Sequence, residues 1–416
     1  MLTASHLHVR IFLSDTAQIF CNCNGNRFQA YSEQVKSIPL GTIYGTLAPL
    51  APIQIKQFMR KLFFRLLGCC WLLGSMHASA VEVSQLDQSV VNVASRSDAD
   101  REAAIREALS NVLVKNSGAR SVLNNNMVAE RLGQASSMVM QFGYTDDQGQ
   151  LKLQALFEHD KIINLLRAAG EPVWGRQRPL TLIWLASDEN NQPQIVADGV
   201  TNDERQLFAD ASSQRGIPVL FPLMDLDDLQ AVNVNDVRGQ FADTVARASA
   251  RYQADYFAMA SLTTVGDGIH YQISLYDKTN SEQAFMQPLI SDQNTAVDKP
   301  AAIAAMMFTL SNYFVSRYAV ADSGESQQTT VTFSAITQKQ LVEIEAFLKQ
   351  LTAVKSITID QLQGDKVSYR LQLFGSVAEL KNLFSLESRM VAAPETASAG
   401  FDNSVSAGTY EWHSRQ

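Results

Sequence analysis

The sequence predicts an α+β protein: three consecutive small α/β units behind an export segment. Three observations predict it. From residue 81 onward, apolar positions switch repeatedly between a helical and a strand period. Pro-rich or polar stretches interrupt that alternation at 172–179 and at 321–329. A basic start, an apolar middle and an A-x-A end follow one another over 59–80.

The export segment comes first. Arg60, Lys61 and Arg65 supply its positive start, Leu66 to Leu73 its apolar run, and Ala78-Ser79-Ala80 its small residues. The run is too short to span a bilayer, which takes about 20 apolar residues. Cleavage between Ala80 and Val81 is expected, with a periplasmic mature chain. The upstream residues 1–58 show no sustained helical or strand period, so translation is expected to start at Met59. A rival reading takes Leu66-Leu67-Gly68-Cys69 as a lipobox with Cys69 acylated. Arg65 interrupts the apolar segment that this would need.

The N-terminal α+β unit is expected over 81–171. Ala104, Ile105, Ala108, Leu109, Val112 and Leu113 fall on one helical face, with Ser97 or Asp98 to cap the start and Gly118 to end it. A shorter helix is expected near Met127–Leu132. Two strands follow, joined by the turn Asp146-Asp147-Gln148-Gly149, and a helix from His159 ends at Gly170.

The central unit, 179–320, opens on Leu180-Thr-Leu-Ile-Trp-Leu-Ala186, the continuous apolar run of a buried strand. A helix from Asn202 to Gly216, a strand from Ile217 and a helix from Asp236 are expected next. The last of these has Phe241, Val245, Ala248 and Tyr252 on one face. A hairpin across Gly266-Asp267-Gly268, a strand over 283–290 and a buried helix from Pro300 complete a mixed α/β sheet. Ser311 and Asn312 break the apolar run of that helix, so no membrane span is expected.

After the 321–329 linker, residues 330–385 read β-α-β-β-α, the order of a ferredoxin-like unit. The remainder reads as a loose tail in which Gly408-Thr-Tyr-Glu-Trp412 can pair at a sheet edge.

Composition narrows the chemistry. All four cysteines (Cys21, Cys23, Cys69, Cys70) precede residue 81. The mature chain therefore excludes disulfides, thiolate zinc sites and cysteine nucleophiles. Residues 81–416 carry 27 basic and 40 acidic side chains, a formal charge of −13. Such a surface repels nucleic acid and anionic lipid. The common nucleotide, hydrolase and zinc-protease motifs are missing. His159, His270 and His413 lie in different units, where surface or satisfied core positions account for them.

The segments Arg101–Gly118, Val173–Ala186, Arg215–Val232 and Ala250–Leu262 together resemble a bacterial envelope family, domain of unknown function DUF2066. The patterns W-x-x-x-R-P-x-x-L-x-W-L and R-G-x-P-x-x-x-P-x-x-D-x-x-D carry the resemblance, which is read as covering most of the mature chain. It implies an envelope location and no assigned activity. The first unit is also similar to the N-terminal region of flagellar assembly and small outer-membrane lipoprotein families. The second is similar to a domain of periplasmic translocation and synthase-activator proteins, which bind other envelope proteins.

Two clusters stand out as sites. Asp225, Asp227 and Asp228 follow a strand and offer the oxygen ligands that Mg²⁺ or Ca²⁺ prefers. Helix capping by Asp225 or Asp227 is the preferred reading, because no EF-hand spacing surrounds them. Trp174, Arg176 and Arg178 read either as a stacked anion pocket or, by preference, as a Trp plug flanked by solvated arginines. The expected function is a non-catalytic periplasmic adaptor without a cofactor, binding envelope proteins. The alternative is a carboxylate-dependent metal-binding or hydrolytic module at Asp225–Asp228.

Overall fold

The computed structural model describes residues 9–13, 17–24, 27–31, 85–147, 149–189, 192–200, 202–278, 287–322, 324, 327–393 and 406–413. The export segment, with Cys69, Ala78, Ala80 and Val81, lies outside these described residues. The chain divides into two units, Met1–Met76 and His77–Gln416. In the first, where no strand period was expected, β1 (Val9–Leu13), β2 (Ala17–Asn24) and β3 (Arg27–Tyr31) form an antiparallel meander.

The second unit opens with a three-stranded sheet under a long helix. Its strands are β4 (Gln88–Asn92), β5 (Val139–Asp147) and β6 (Gln150–Phe157), in the order β4-β6-β5. Helix α1 (Asp98–Ser117) forms as its sequence dictates. The Ser97 side chain accepts from the Asp100 N–H, and Gly118 closes the helix at φ 82°. The expected apolar face is its buried face, packed with Leu153, Ala155 and Phe157. The Gly118 position is also sterically required, since a Cβ there would stand 2.0 Å from the Val315 side chain. Helices α2 (Asn126–Leu132) and α3 (His159–Ala168) complete this part.

The central sheet is mixed, as expected. It contains β7 (Thr181–Glu189), β8 (Gln192–Ile195), β9 (Val219–Leu220), β10 (Tyr256–Val265), β11 (Gly268–Asp277) and β12 (Ile290–Ala296). The order is β12-β11-β10-β7-β8, with β9 beside the start of β7. β7 is parallel to β10 and to β9. Both faces of β7 are covered. Leu182 and Trp184 enter one core, Ile183 and Leu185 another, which is why its apolar run is continuous.

The helices here are α4 (Asp203–Arg215), α5 (Leu226–Ala231), α6 (Val234–Arg238), α7 (Ala242–Ser249) and α8 (Lys299–Tyr318). Three expectations are corrected. The strand from Ile217 shortens to two residues, because Pro218 and Pro222 flank it and supply no N–H to a ladder. The single helix from Asp236 breaks into α6 and α7, since Gln240 takes φ 57° and turns the chain. Phe241 is consequently exposed rather than part of the helical face. The strand expected over 283–290 stands at Ile290–Ala296; residues 283–286 lie outside the described residues.

The C-terminal sheet starts at Gln327, inside the expected linker. It comprises β13 (Gln327–Ser334), β14 (Val354–Gln363), β15 (Lys366–Leu373), β16 (Met390–Ala392) and β17 (Ser406–Trp412), with α9 (Gln338–Gln350) and α10 (Val377–Ser385). The order is β14-β15-β13-β17-β16. The first five elements follow the expected β-α-β-β-α plan. The end departs from it. β17 does not pair at an edge; it lies between β13 and β16, parallel to β13 and antiparallel to β16. Ala407 and Trp412 anchor it in the core.

One apolar cluster runs from the central sheet into the C-terminal one, joining Phe208, Phe314 and Tyr318 to Phe333, Phe347 and Trp412. The junctions are tied as well. Val173 and Val320 exchange backbone hydrogen bonds of 2.9 Å. The Arg167 guanidinium, on α3, donates to the Thr352 carbonyl at 2.7 Å and lies 3.4 Å from the Phe374 ring centre. The three parts therefore pack as one body rather than as beads on linkers.

Candidate functional site

The two clusters singled out in the sequence are both built: Asp225 caps its helix and Trp174 is a buried plug, as preferred from the sequence, but the arginines around each do more than expected. Arg178 is not solvated. It is 3% exposed and donates to five backbone carbonyls: Gly175, Arg215, Gly216, Lys115 and Trp174, at 2.8–3.1 Å. Lys115 and Arg215 lie in the last turns of α1 and α4, so the cation sits where two helix dipoles end. Its guanidinium also stacks 3.8 Å from the buried Trp174 ring. Burial pushes the Arg178 pKa down to about 9. Gly216, at φ 65°, is the residue that admits it; a Cβ there would lie 2.8 Å from Nη1 of Arg178. Arg176 remains 42% exposed and faces Asp87 at 3.6 Å. The Trp plug is therefore present, and Arg178 is the pin that holds it.

The acidic stretch begins just past β9, beyond the carboxyl end of a strand parallel to β7. Asp225 caps α5, its Oδ1 accepting from the Asp228 N–H at 3.2 Å. Arg251 grips the same carboxylate with two donors at 2.6 and 2.7 Å, and reaches Oδ1 of Asp228 at 3.1 Å. The other Asp228 oxygen accepts from the Tyr252 hydroxyl and from the Met224 N–H at 2.9 Å. Met224 takes φ 51°, an uncommon conformation for such a side chain. Hydrogen bonds from Arg251 and from the Asp228 backbone hold the Asp225 pKa down at about 2. Burial and the Asp228 carboxylate push the Tyr252 hydroxyl up, keeping it a donor.

Asp227 points outward at 82% side-chain exposure, 3.9 Å from Arg251. The cluster is thus a clamp of two carboxylates on one arginine and one tyrosine. Among the described residues, no group of three or more His, Cys, Asp or Glu side chains stands where it could hold a metal ion. Arg251 and Tyr252 lie within the quoted stretch Ala250–Leu262, but their role is invisible in sequence. They come into reach only because α7 packs against α5.

What the clamp fixes in place is apolar. Leu223, Leu226 and Leu229 are 56%, 69% and 62% exposed. Leu226 and Leu229, three apart, share one side of the short helix, and Leu223 stands in the loop just before it.

Sequence reasoning also missed a polar knot at the carboxyl end of β7. The Ser187 hydroxyl donates to Glu204 at 3.0 Å, and the Lys299 ammonium pairs with the same oxygen. Burial works to raise the Glu204 pKa, but the Lys299 and Ser187 hydrogen bonds hold it below the usual value. Ser187 is buried and its proton is engaged, so the knot joins β7, α4 and α8 and presents no nucleophile. The three histidines stay apart. His159 contacts Asp87 at 2.5 Å, His270 contacts Thr295 at 3.5 Å, and the His413 backbone donates to Arg389.

No helix among the described residues is long and apolar enough to cross a membrane. No curated protein and no solved structure matches the chain. Residues 80–175 match a domain of unknown function, DUF8605, so the N-terminal α+β part of the second unit, including Arg101–Gly118 and Trp174, matches a different family description from the one expected. The expected family matches over a shorter and later stretch than the motifs that suggested it: residues 327–414, which hold the C-terminal five-stranded sheet, match the domain of unknown function DUF2066.

Proposed function

We propose that this chain is an exported, non-catalytic accessory protein of the cell envelope that binds another envelope protein through the loop 223–229. The observation that carries the reading is the set of three exposed leucines held out by a fixed clamp. Leaving a leucine in water rather than burying it forgoes about 1.5–3 kcal/mol. A grouped apolar display on a rigid support fits an interaction surface better than a solvated coat. Asp227, 82% exposed beside the leucines, is acidic. The fitting partner offers an apolar groove with a basic rim, into which a short helix lays its apolar side. The basic-apolar-A-x-A stretch ending at Ala80 supports export.

The test is an in-cell crosslinking pull-down of the chromosomally encoded protein, beside a Leu226→Asp/Leu229→Asp variant. The reading expects one reproducible envelope partner that the variant loses while keeping its thermal stability. A partner set unchanged by the variant would sink the loop as the binding surface. The same samples, read at their processed N-terminus, separate cleavage before Val81 from acylation at Cys69.

A further inference from the structure

Among the described residues of the second unit, the edge strands are mostly short, polar, bulged or charged, and β5 is the longest of them without Pro or Lys. β14 carries two register shifts and the charges Lys355 and Asp360. β16 has three residues, and β8 has four including Pro193. β12 is polar after Ile290. Those are the devices that protect an edge from pairing with another chain. β5 is nine residues long and has neither Pro nor Lys. Its single register shift lies at the start, between Val139 and Gln141, and it runs regularly from there to Asp147. Among the described residues, its only strand neighbour is β6. Met140 is 65% exposed and Phe142 44% exposed on it.

The sequence of this edge is self-complementary. Gln141-Phe142-Gly143-Tyr144-Thr145 reads the same by residue type in both directions about Gly143. Paired antiparallel with itself, the strand sets Gly143 on the twofold axis. Phe142 then lies opposite Tyr144 of the second copy, and Gln141 opposite Thr145. Aromatic pairs opposite one another stabilise a ladder. Within one chain the two rings already meet edge to face at 6.2 Å. Arg101 covers Phe142 at 5.8 Å and Arg96 covers Tyr144 at 5.3 Å. The same register sends Asp146 and Asp147 toward the apolar Val139 and Met140 of the other copy, next to the Phe142 that Arg101 covers. It sets no like charges face to face. Isologous twofold contacts of this kind are the commonest route to a homodimer.

We propose that β5 is a homodimerisation edge: two copies pair antiparallel about Gly143, joining their three-stranded sheets into one of six strands. The contact is independent of the loop 223–229.

Sedimentation equilibrium of the full chain in reductant, from about 1 to about 100 µM, reads it directly. The wild type is expected to form a dimer whose population rises with concentration. Gly143→Asp sets two carboxylates opposite each other on the axis and is expected to weaken the dimer at least about tenfold. A Cβ at Gly143 meets nothing within 4 Å, so that variant is expected to fold. Phe142→Lys gives a second, independent disruption. Hydrogen exchange localises the contact, with amides of 141–145 gaining protection as concentration rises. A wild type that stays monomeric throughout overturns the proposal. So does a dimer that both variants leave intact, or one whose added protection lies elsewhere.

Discussion

Replacing Arg178 by methionine removes the donor that five carbonyls share while keeping much of the apolar stem. The magnitude follows from two opposing effects. Hydrogen bonds to a charged group are worth about 1.5–3 kcal/mol each. Against them stands the burial of the cation, which pushes its pKa down to about 9. The five bonds outweigh it. A buried carbonyl left without its donor costs about 1–3 kcal/mol, and with some of the five regaining partners Arg178→Met is expected to cost about 3–5 kcal/mol. For a unit of this size the melting temperature should fall by about 6–10 °C. Arg178→Lys keeps the charge but has three donors and no planar face for Trp174, so about half the loss is expected. The assay is thermal melting followed by near-ultraviolet circular dichroism, which reports the Trp174 environment. A methionine variant within about 1 °C of wild type would refute the reasoning, as would a lysine variant less stable than the methionine one.

Three further outcomes are expected. Burial pushes Asp255 up to about 6, whereas an unfolded aspartate titrates near about 3.9. The folded state thus holds its proton more tightly, and the contribution of Asp255 to stability is lost as pH rises from about 4 through about 6. Asp255→Asn keeps an acceptor for the Leu180 N–H, 2.7 Å away, without the buried charge. Its excess stability over wild type should grow from near zero at pH 4 to about 2 kcal/mol at pH 7, and chemical denaturation at the two pH values checks it. Trp412→Ala opens the slot lined by Phe333 and Phe347 and should cost about 3–5 kcal/mol; hydrogen exchange should rise in β17 and in β16, whose strand partner among the described residues is β17 alone. Calorimetric titration with Mg²⁺ or Ca²⁺ should give no saturable heat, because Arg251, Tyr252 and backbone N–H groups already engage the Asp225 and Asp228 oxygens.

Local signals carried the sequence reading as far as local physics reaches. α1 was legible because its cap, apolar face and terminal glycine all lie within 22 residues. β7 was legible because a strand covered on both faces has to be apolar throughout. The β-α-β-β-α order needed only the sequence of periods. What failed depended on residues distant in the chain. Arg178 looked solvated because its acceptors come from three separate segments. The capping role of Asp225 was legible, but the Arg251 grip on it was not, because that arginine stands more than 20 residues downstream. The place of β17 between β13 and β16 has no local signature at all. The α6–α7 break turns on Gln240, a residue type that seldom takes positive φ.

The central claim is that the clamp holds Leu226 and Leu229 out for a partner. Site-specific photocrosslinking in the native cell tests it most directly, with the crosslinker at position 226 or 229 and, as control, at the exposed Leu362 of β14. The account predicts one discrete adduct from 226 and 229, absent from 362 and abolished by Arg251→Met, which frees the loop. No adduct from the loop positions, or the same adduct from all three, would contradict it.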